Sequence, residues 1–387
     1  MSNLLFVFER DIPTISIMRE LFSNLSNYPE IRSDFLYLMD VKSSDIDSHD
    51  VVIFMRPNDV YSSIVALRAR EAGHLTVTFC DDDLLNLPTD SPTIPWRKKG
   101  LIRTLRQSDV IWSSSRYLVE KWRKLTADGR CVLSDTIIQP EQFNNTEVVA
   151  DGDVVKIVYA AAPSHADLFE DLISPVLPRL AQEFGDKIKF TFISVHPDVK
   201  GVECEFLPGM PLLEYREYMK NQRFDIGLAP LKNDEFSKCK YINKFIEYTT
   251  QGIVGVYSKT EPYTYVVNDG ANGFLSDDSA DSWYHALSTA IRNTELRKKC
   301  LAQAVDYLKK NYTETACMER VRQAVPEFFD EPRVYDKCKG FGLHKIRYYL
   351  IRPMDWGYLF LFYLNRTGIK GVISRIKRHY VESKAYR

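Results

Sequence analysis

The chain has 387 residues, of which 45% are apolar and 27% are charged, so it can form two globular domains with separate cores. This composition excludes a disordered or fibrous protein. The net charge is -1, yet residues 333–387 contain thirteen Lys or Arg residues against three Asp or Glu residues. The seven cysteines are scattered and form no C-x-x-C pair, so we expect no disulfide framework, no zinc site and a cytoplasmic location.

The first residues, MSNLLFVFERDIP, have no basic leader before a short apolar run. We therefore interpret this segment as a first β-strand and not as a signal peptide. No apolar stretch reaches the roughly 20 residues that a membrane-spanning helix needs, so we expect no transmembrane segment.

Apolar runs alternate with helical patterns along the chain. In the first half we predict strands at 4–8, 34–39, 51–55, 75–80 and 110–113, and helices at 14–25 and 61–72. The polar segment 139–153 is predicted to be a linker. A second alternation follows, with strands at 156–161, 187–194, 203–207, 224–228 and 253–257, and helices from 279 to about 329. This order predicts an α/β fold of two tandem Rossmann-like domains, 1–138 and 154–332, with an interdomain cleft and a basic, aromatic-rich helical tail at 333–387.

The segment between the last two predicted strands carries Lys240, Lys244 and Glu247. Spacings of four and three residues place all three on one face of a single helix, which Gly252 is expected to end. At the carboxyl edge of a parallel sheet, the start of such a helix suits a diphosphate, and the carboxylate suits a ribose diol. The alternative is a solvated ladder of ion pairs, but a solvated helix seldom lies between two buried strands.

Two segments near predicted strand ends are further candidates. Ser164 to Asp167 fits a variant of the capping box, which places His165 at a helix start, within reach of a phosphate or a sugar hydroxyl. Ser258, Lys259, Thr260 and Glu261 follow a strand and precede Pro262, so their backbone N–H groups can meet a donor sugar or phosphate. The alternative for this second segment is a plain turn from strand to helix.

Asp81, Asp82 and Asp83 follow a predicted strand directly. Three adjacent carboxylates repel each other, so we expect at least one to cap a helix or to point outward. Asp82 or Asp83 can also orient an acceptor hydroxyl. We expect no metal ion here, because consecutive aspartates do not converge easily on one ion.

Three segments carry a family resemblance: YAAAPSHADLFEDLISPVL, FDIGLAPLKNDEFSKCKYINKFIEYTTQG and NDGANGFLSDD. They resemble, in order and spacing, the carboxyl-terminal half of GT-B glycosyltransferases, and the retaining family 4 enzymes are the most similar group. In the first half, DIPTISIMRELF, VVIFMRP and TVTFCDDDLLNLP are similar to bacterial members that build surface polysaccharides. Cys239 stands where many members have a first glutamate, and Pro163, Ser164 and His165 stand where many have an arginine and a lysine.

The resemblance implies a hexosyltransferase-like enzyme without a cofactor or metal. The first domain is then the acceptor domain and the second binds a nucleotide diphosphate sugar. Lys244 and Glu247 map onto the lysine and glutamate that hold the donor diphosphate and ribose, and Lys240 is a second phosphate contact. We expect transfer to a hydroxyl of a glycan or a lipid-linked glycan, with retention and with Lys240, Lys244 and His165 as catalytic residues. The alternatives are a nucleotide-sugar epimerase of the same fold and a non-catalytic scaffold subunit.

The tail mixes cations with aromatic residues, which is typical of an element at the membrane interface. Residues 333–387 are therefore expected to make a peripheral contact at the inner face of the membrane. The alternative is that the apolar residues of the tail pack on the globular body. Nucleic acid is not an expected partner, because no nucleic-acid-binding motif supports it.

Overall fold

The computed structural model describes residues 2–23, 25, 28–87, 94–126, 130–133, 138, 142–143, 154–330 and 334–385. The chain divides into two units. The first consists of Met1–Thr136 together with Cys317–Arg387, and the second is Ile137–Ala316. The boundary that we predicted at residue 332 therefore differs from this division, because residues 317–332 and the tail belong to the first unit. Most of the predicted linker, 139–153, lies outside the described residues.

The first unit contains a parallel sheet of six strands in the order β2-β1-β3-β4-β5-β6. Its strands are β1 (Ser2–Phe8), β2 (Ile31–Tyr37), β3 (Val51–Met55), β4 (Leu75–Cys80), β5 (Val110–Ser113) and β6 (Cys131–Leu133). Its helices are α1 (Pro13–Ser23), α2 (Ser43–Asp47), α3 (Val60–Glu71), α4 (Pro95–Gln107) and α5 (Arg116–Trp122). All five residues of β3 are buried, as expected of a parallel strand that is covered on both faces.

The second unit contains a parallel sheet in the order β12-β11-β10-β7-β8-β9. Its strands are β7 (Val155–Ala160), β8 (Ile188–Ile193), β9 (Glu203–Leu207), β10 (Ile226–Ala229), β11 (Val254–Ser258) and β12 (Phe274–Ser276). Its helices are α6 (Ala166–Leu172), α7 (Leu177–Phe184), α8 (Leu212–Gln222), α9 (Glu235–Lys238), α10 (Asn243–Thr250), α11 (Ala280–Arg292) and α12 (Thr294–Asn311). At one edge of this sheet, Glu203 and Glu205 of β9 form ion pairs with Lys189 of β8.

Each sheet contains a point where the chain reverses its direction of travel across the strands. In the first sheet this topological switch point lies between β1 and β3, and in the second it lies between β7 and β10. Ligands of open α/β sheets bind beyond the carboxyl ends of the strands at such points. The two switch points therefore mark where a site is expected in each unit.

Two more helices follow, α13 (Glu314–Ala324), which enters the first unit at Cys317, and α14 (Gly342–Ala385), which has a non-helical residue at Gly368. The start of α14 packs on the sheet domain, because Phe341 and Tyr348 join a buried cluster with Tyr61 and Val65. Farther along, the buried carboxylate of Asp355 accepts hydrogen bonds from Trp96 Nε1 at 2.7 Å and from Arg97 Nε at 3.2 Å. Part of the tail thus packs on the body, as in the alternative to membrane contact. None of the helices in the described part of the chain is long and apolar enough to cross a membrane.

The predicted α/β fold is confirmed, and all ten predicted strands are present within a few residues of their expected bounds. The prediction omitted β6 and β12, which have three residues each. Gly252 ends α10 as expected, with a φ of 76°.

Candidate functional site

The segment after β10 forms two short helices instead of the single helix that the spacing predicted. Helix α9 ends at Lys238 and α10 begins at Asn243, so Lys240 lies in the connection between them. Cys239, Tyr241 and Ile242 are all buried. In one continuous helix Tyr241 would point roughly 200° away from Cys239, and both could not face the same core. The prediction that Lys240 shares a helical face with Lys244 and Glu247 is therefore wrong.

Lys244 and Glu247 do lie together, on α10. The Lys244 ammonium is 2.8 Å and 3.0 Å from the two carboxylate oxygens of Glu247. A residue that we did not predict completes the group, because the Tyr215 hydroxyl on α8 donates a hydrogen bond to Glu247 Oε1. Lys244 Nζ also lies 5.4 Å from the ring centroid of Tyr248. We call Tyr215, Lys244, Glu247 and Tyr248 the Lys244 cluster.

The Lys244 cluster is fixed to the carboxyl end of β10. The buried Tyr248 hydroxyl donates to the carbonyl of Leu228 at 2.7 Å. Burial, followed by the neighbouring carboxylate of Glu247, raises the pKa of Tyr215 well above its usual range, so its hydroxyl stays protonated and acts as a donor. The side chains of Lys244 and Glu247 are 25% and 26% exposed, so a ligand can reach them.

His165 follows β7, the neighbour of β10 in the sheet, so its segment and the start of α10 leave the same sheet edge at the switch point. It ends a 3-10 turn, Pro163–His165, and its carbonyl accepts a hydrogen bond from the Tyr159 hydroxyl at 3.0 Å. Helix α6 has His165 itself as N-cap, without a side-chain cap. The predicted capping box depends on the side chain of Ser164, which lies outside the described side chains.

The segment Ser258 to Glu261 forms an internally bonded turn. The buried Ser258 hydroxyl accepts from the Leu231 N–H at 2.8 Å, and the Lys259 N–H donates to Ser276 O at 2.6 Å. The Thr260 N–H donates to Ser258 O at 2.8 Å. The N–H groups of Lys259 and Thr260 are therefore engaged within the protein, in agreement with the plain-turn alternative. Lys259 itself is exposed and Glu261 is half-buried.

The three aspartates after β4 have separate structural partners. Arg56 pairs with Asp81 and, at 3.1 Å, with Asp82, and Thr14 Oγ1 donates to Asp81 at 2.7 Å. Asp83 is fully buried, and its carboxylate accepts from Lys121 Nζ at 2.8 Å and from the Leu85 N–H at 3.2 Å. The Asp83 carboxylate thus closes the turn that follows it and caps no helix in the described part of the chain, and only Asp82 of our two acceptor candidates is partly accessible. No group of three or more His, Cys, Asp or Glu side chains within the described ranges is placed to hold a metal ion.

A cavity of about 740 Å³ lies at the switch point of the first sheet, and we did not predict it. It contains Glu9 after β1 and Arg56 after β3. Arg56 has a φ of 47°, in the left-handed region that few non-glycine residues adopt. Burial, followed by the nearby Asp59, raises the pKa of Glu9 to about 7. The sequence signal for this cavity was the charged pair Glu9–Arg10 directly after an apolar strand.

No protein-family model matches the chain, and no curated protein matches it by sequence. Solved structures do match. Sucrose-phosphate synthase from Thermosynechococcus elongatus has a TM-score of 0.62 and 9% identity, with 85% of this chain and 99% of that chain covered. HepE from Anabaena in complex with UDP and glucose has a TM-score of 0.58 and 11% identity, with coverages of 84% and 100%. TarM has a TM-score of 0.55 and 9% identity, covering 71% of this chain, which spans 54% of TarM.

The identities are low, so the likeness concerns the fold. Together with two parallel six-stranded sheets and their flanking helices, it shows that the chain has the two-domain α/β fold of GT-B glycosyltransferases.

Proposed function

We propose that the protein is a glycosyltransferase that moves a sugar from a nucleotide diphosphate sugar to a hydroxyl of a glycan or lipid-linked glycan. The observation that carries this proposal is the Lys244 cluster at the switch point of the second sheet. It combines an accessible ammonium and a carboxylate at the start of a helix, next to the segment of His165. Diphosphates bind at such helix starts, and ribose hydroxyls donate to carboxylates.

In this proposal the ammonium group of Lys244 stabilises the transition state of sugar transfer. As the bond to the sugar breaks, negative charge grows on the diphosphate and an oxocarbenium-like sugar forms, so a fixed cation lowers the energy of the transition state more than that of the ground state. Lys240, in the connection before α10, supplies a second positive charge, and His165 supplies a hydrogen-bond donor. Transfer with retention follows if the leaving phosphate accepts the proton of the acceptor hydroxyl on the same face of the sugar.

UDP-glucose is the first donor to test, because the structure of HepE, which has the same fold, contains UDP and glucose. We expect UDP to raise the thermal midpoint of the wild-type protein. Lys244→Ala is expected to abolish that shift and to lower sugar transfer at least a hundredfold, because one fixed charge at a developing anion contributes about that much. The matched control is Lys298→Ala, which removes an exposed lysine whose ammonium lies 2.8 Å from Glu295, as in the Lys244–Glu247 pair.

Turnover of Lys244→Ala within a few fold of the wild type would contradict the assignment of this residue. A wild-type protein that shows no thermal shift with UDP or any other nucleoside diphosphate would contradict the proposed function and favour a scaffold role.

We also propose a cytoplasmic location and a peripheral contact of α14 with the membrane surface. All seven cysteines are free, which suits a reducing compartment. Several large apolar side chains of α14 are exposed, and they recur about every four residues: Ile346, Leu350, Met354, Leu361, Ile369, Ile373 and Ile376. Flotation with anionic liposomes tests this contact. We expect the intact protein to float and a variant with Leu350, Met354 and Leu361 changed to Ser to remain at the bottom of the gradient.

A further inference from the structure

The cavity at the switch point of the first sheet is built from six parts of the first unit. These parts are the segment after β1, helix α1, the end of β3 with the segment after it, the segment after β4, the region around the start of α4, and α14. Its volume of about 740 Å³ lies within the range of small-molecule and cofactor sites. None of these side chains belongs to the Lys244 cluster, so the cavity is a separate site.

One side of the cavity is apolar. The side chains there come from α1 and the residue before it, from the segment after β4 and from α14, and they include Ile12, Ile15, Leu84, Leu87, Leu359 and Val372. Trp356 and Phe360 also line the cavity and are 57% and 43% exposed. The apolar wall thus continues to the surface of α14. A hydrocarbon chain can therefore enter the cavity along this helix without crossing a polar surface.

The other side of the cavity is cationic. Five cations line it, namely Arg10, Arg56, Arg97, Lys98 and Arg352, against the two carboxylates of Glu9 and Asp355. Arg97 is bound to Asp355, and Arg56 to Asp81 and Asp82. Within the described residues, Arg10, Lys98 and Arg352 form no ion pair.

The cations crowd each other. Burial lowers the pKa of Arg352, and the positive charges of Arg97 and Arg10 lower it further. The pKa of Glu9 is raised to about 7, so this carboxyl group is only partly ionised at neutral pH. It therefore neutralises the neighbouring cations only in part. An anion bound between Arg10, Lys98 and Arg352 would relieve this repulsion, and arginine side chains are well suited to phosphate.

We propose that this cavity binds the acceptor as a lipid-linked phosphate, with the phosphate at Arg10, Lys98 and Arg352 and the isoprenoid or acyl chain along the apolar wall. This inference rests on the proposed function, because the ligand is an acceptor only if the protein transfers a sugar. It specifies the chemical class of that acceptor. A free glycan has neither a charge for the cations nor a chain for the wall. The complementarity of both sides selects a ligand that carries an anionic group and a hydrocarbon chain in one molecule.

The experiment measures binding of farnesyl phosphate to the full-length protein by isothermal calorimetry, with farnesol and inorganic phosphate as separate probes. We expect farnesyl phosphate to bind at least tenfold more tightly than either. The double variant Lys98→Gln with Arg352→Gln should weaken farnesyl phosphate at least tenfold and leave farnesol unchanged. Trp356→Ser should weaken both farnesyl compounds. Lys370→Gln, an exposed position of α14 outside the cavity, is the matched control and should change neither.

Three outcomes would overturn the proposal. The first is that farnesol binds as tightly as farnesyl phosphate. The second is that the double variant retains wild-type affinity while its thermal midpoint is unchanged. The third is that phosphatidylglycerol vesicles displace farnesyl phosphate from the cavity. If the double variant does not fold, Arg352→Lys alone is expected to retain part of the affinity, and equal loss in Arg352→Lys and Arg352→Gln would also contradict a phosphate contact. UDP binding to the wild-type protein is measured in parallel. If the wild type binds farnesyl phosphate but not UDP, the proposed function is contradicted and the lipid phosphate site is not.

Discussion

At the scale of single residues, Tyr215 holds Glu247 in the Lys244 cluster. Glu247 is shared between an ammonium on its own helix and a hydroxyl on α8. Charge-assisted hydrogen bonds of this kind are stronger than neutral ones and fix the direction of the carboxylate. We therefore regard Tyr215 as a positioning residue for the carboxylate that we assign to the donor ribose.

We expect Tyr215→Phe to raise the KM for the nucleotide sugar about tenfold and to leave kcat nearly unchanged. The reason is that a lost hydrogen bond to a charged group amounts to about 1.5 kcal/mol and affects binding of substrate and transition state alike. Steady-state kinetics measure both constants. Tyr218→Phe, on the same helix, is the control. Unchanged KM in Tyr215→Phe would show that Glu247 does not need this hydroxyl.

Glu9 makes the stability of the first unit depend on pH. Its pKa is raised from 4.5 to about 7 by burial and by Asp59, against the opposing effects of the Asn58 N–H, the Ser62 hydroxyl and Arg97. A raised pKa means that the folded protein holds the proton more tightly than the unfolded chain. The resulting stabilisation is complete below about pH 4.5 and is lost as the pH rises through about 7. Asp59, whose pKa burial also raises, acts in the same direction.

Glu9→Gln removes the ionisable group and keeps an acceptor oxygen for Asn58 and Ser62. We expect the variant to be more stable than the wild type at pH 8.5, by about 3 kcal/mol at most, and the difference to shrink toward pH 4.5. Urea unfolding at the two pH values measures this difference. A difference between wild type and variant that is the same at both values would contradict the raised pKa.

At the scale of elements, Gly100 lets α4 approach the start of α3. A Cβ atom at this position would lie 2.7 Å from the carbonyl carbon of Asp59 and from the backbone N of Val60. Backbone atoms cannot yield as a flexible side chain can. The two helices therefore depend on the absence of a side chain at Gly100.

We expect Gly100→Ala to lower the free energy of unfolding by about 1–3 kcal/mol, as overpacked positions do. Gly357→Ala in α14 is the control, because no atom lies within 4 Å of a Cβ there and alanine favours a helix. Chemical denaturation compares the two variants. Equal stability of Gly100→Ala and the wild type would mean that the helices separate without loss.

Much of the fold could be predicted from the sequence, because buried parallel strands are continuous apolar runs. Val51 to Met55 is one example, with all five residues buried. The three-residue strands β6 and β12 could not be predicted, since so short a run has no pattern of its own. In the site, the spacing correctly predicted that Lys244 and Glu247 lie on one face of a helix, and their ion pair is the contact that the alternative reading expected. The same spacing failed for Lys240, because burial of Tyr241 and Cys239 breaks the helix, and tertiary packing overrides local periodicity.

At the scale of the whole molecule, the carboxyl-terminal segment completes the first unit. Phe341 and Tyr348 fill a buried cluster with residues of α3, and Asp355 holds the buried Arg97. Each buried aromatic contributes about 2 kcal/mol, and removing one partner of a buried ion pair costs about 3–5 kcal/mol. The tail is therefore a structural part of this unit, whatever else it binds.

We expect deletion of residues 334–387 to lower the thermal midpoint of the first unit by at least 10 °C, since about 1 kcal/mol corresponds to 2–4 °C in a unit of this size. Deletion of residues 369–387, after the non-helical Gly368, is the control and should have a smaller effect because it keeps Phe341, Tyr348 and Asp355. Differential scanning calorimetry measures both. Equal midpoints for the two deletions would contradict the role of these three residues.

The carboxylates of β9 oppose the pairing of this edge strand with a strand of a second molecule in concentrated solutions. A strand at the border of a sheet offers unsatisfied N–H and carbonyl groups to a strand of another molecule. Glu203 and Glu205 lie along that border, and both are bound to Lys189 of the adjacent strand. A second copy approaching side by side would bring its own Glu203 and Glu205 against these charges. Strand-to-strand fibre growth is therefore disfavoured here, and neutralising both glutamates should promote it.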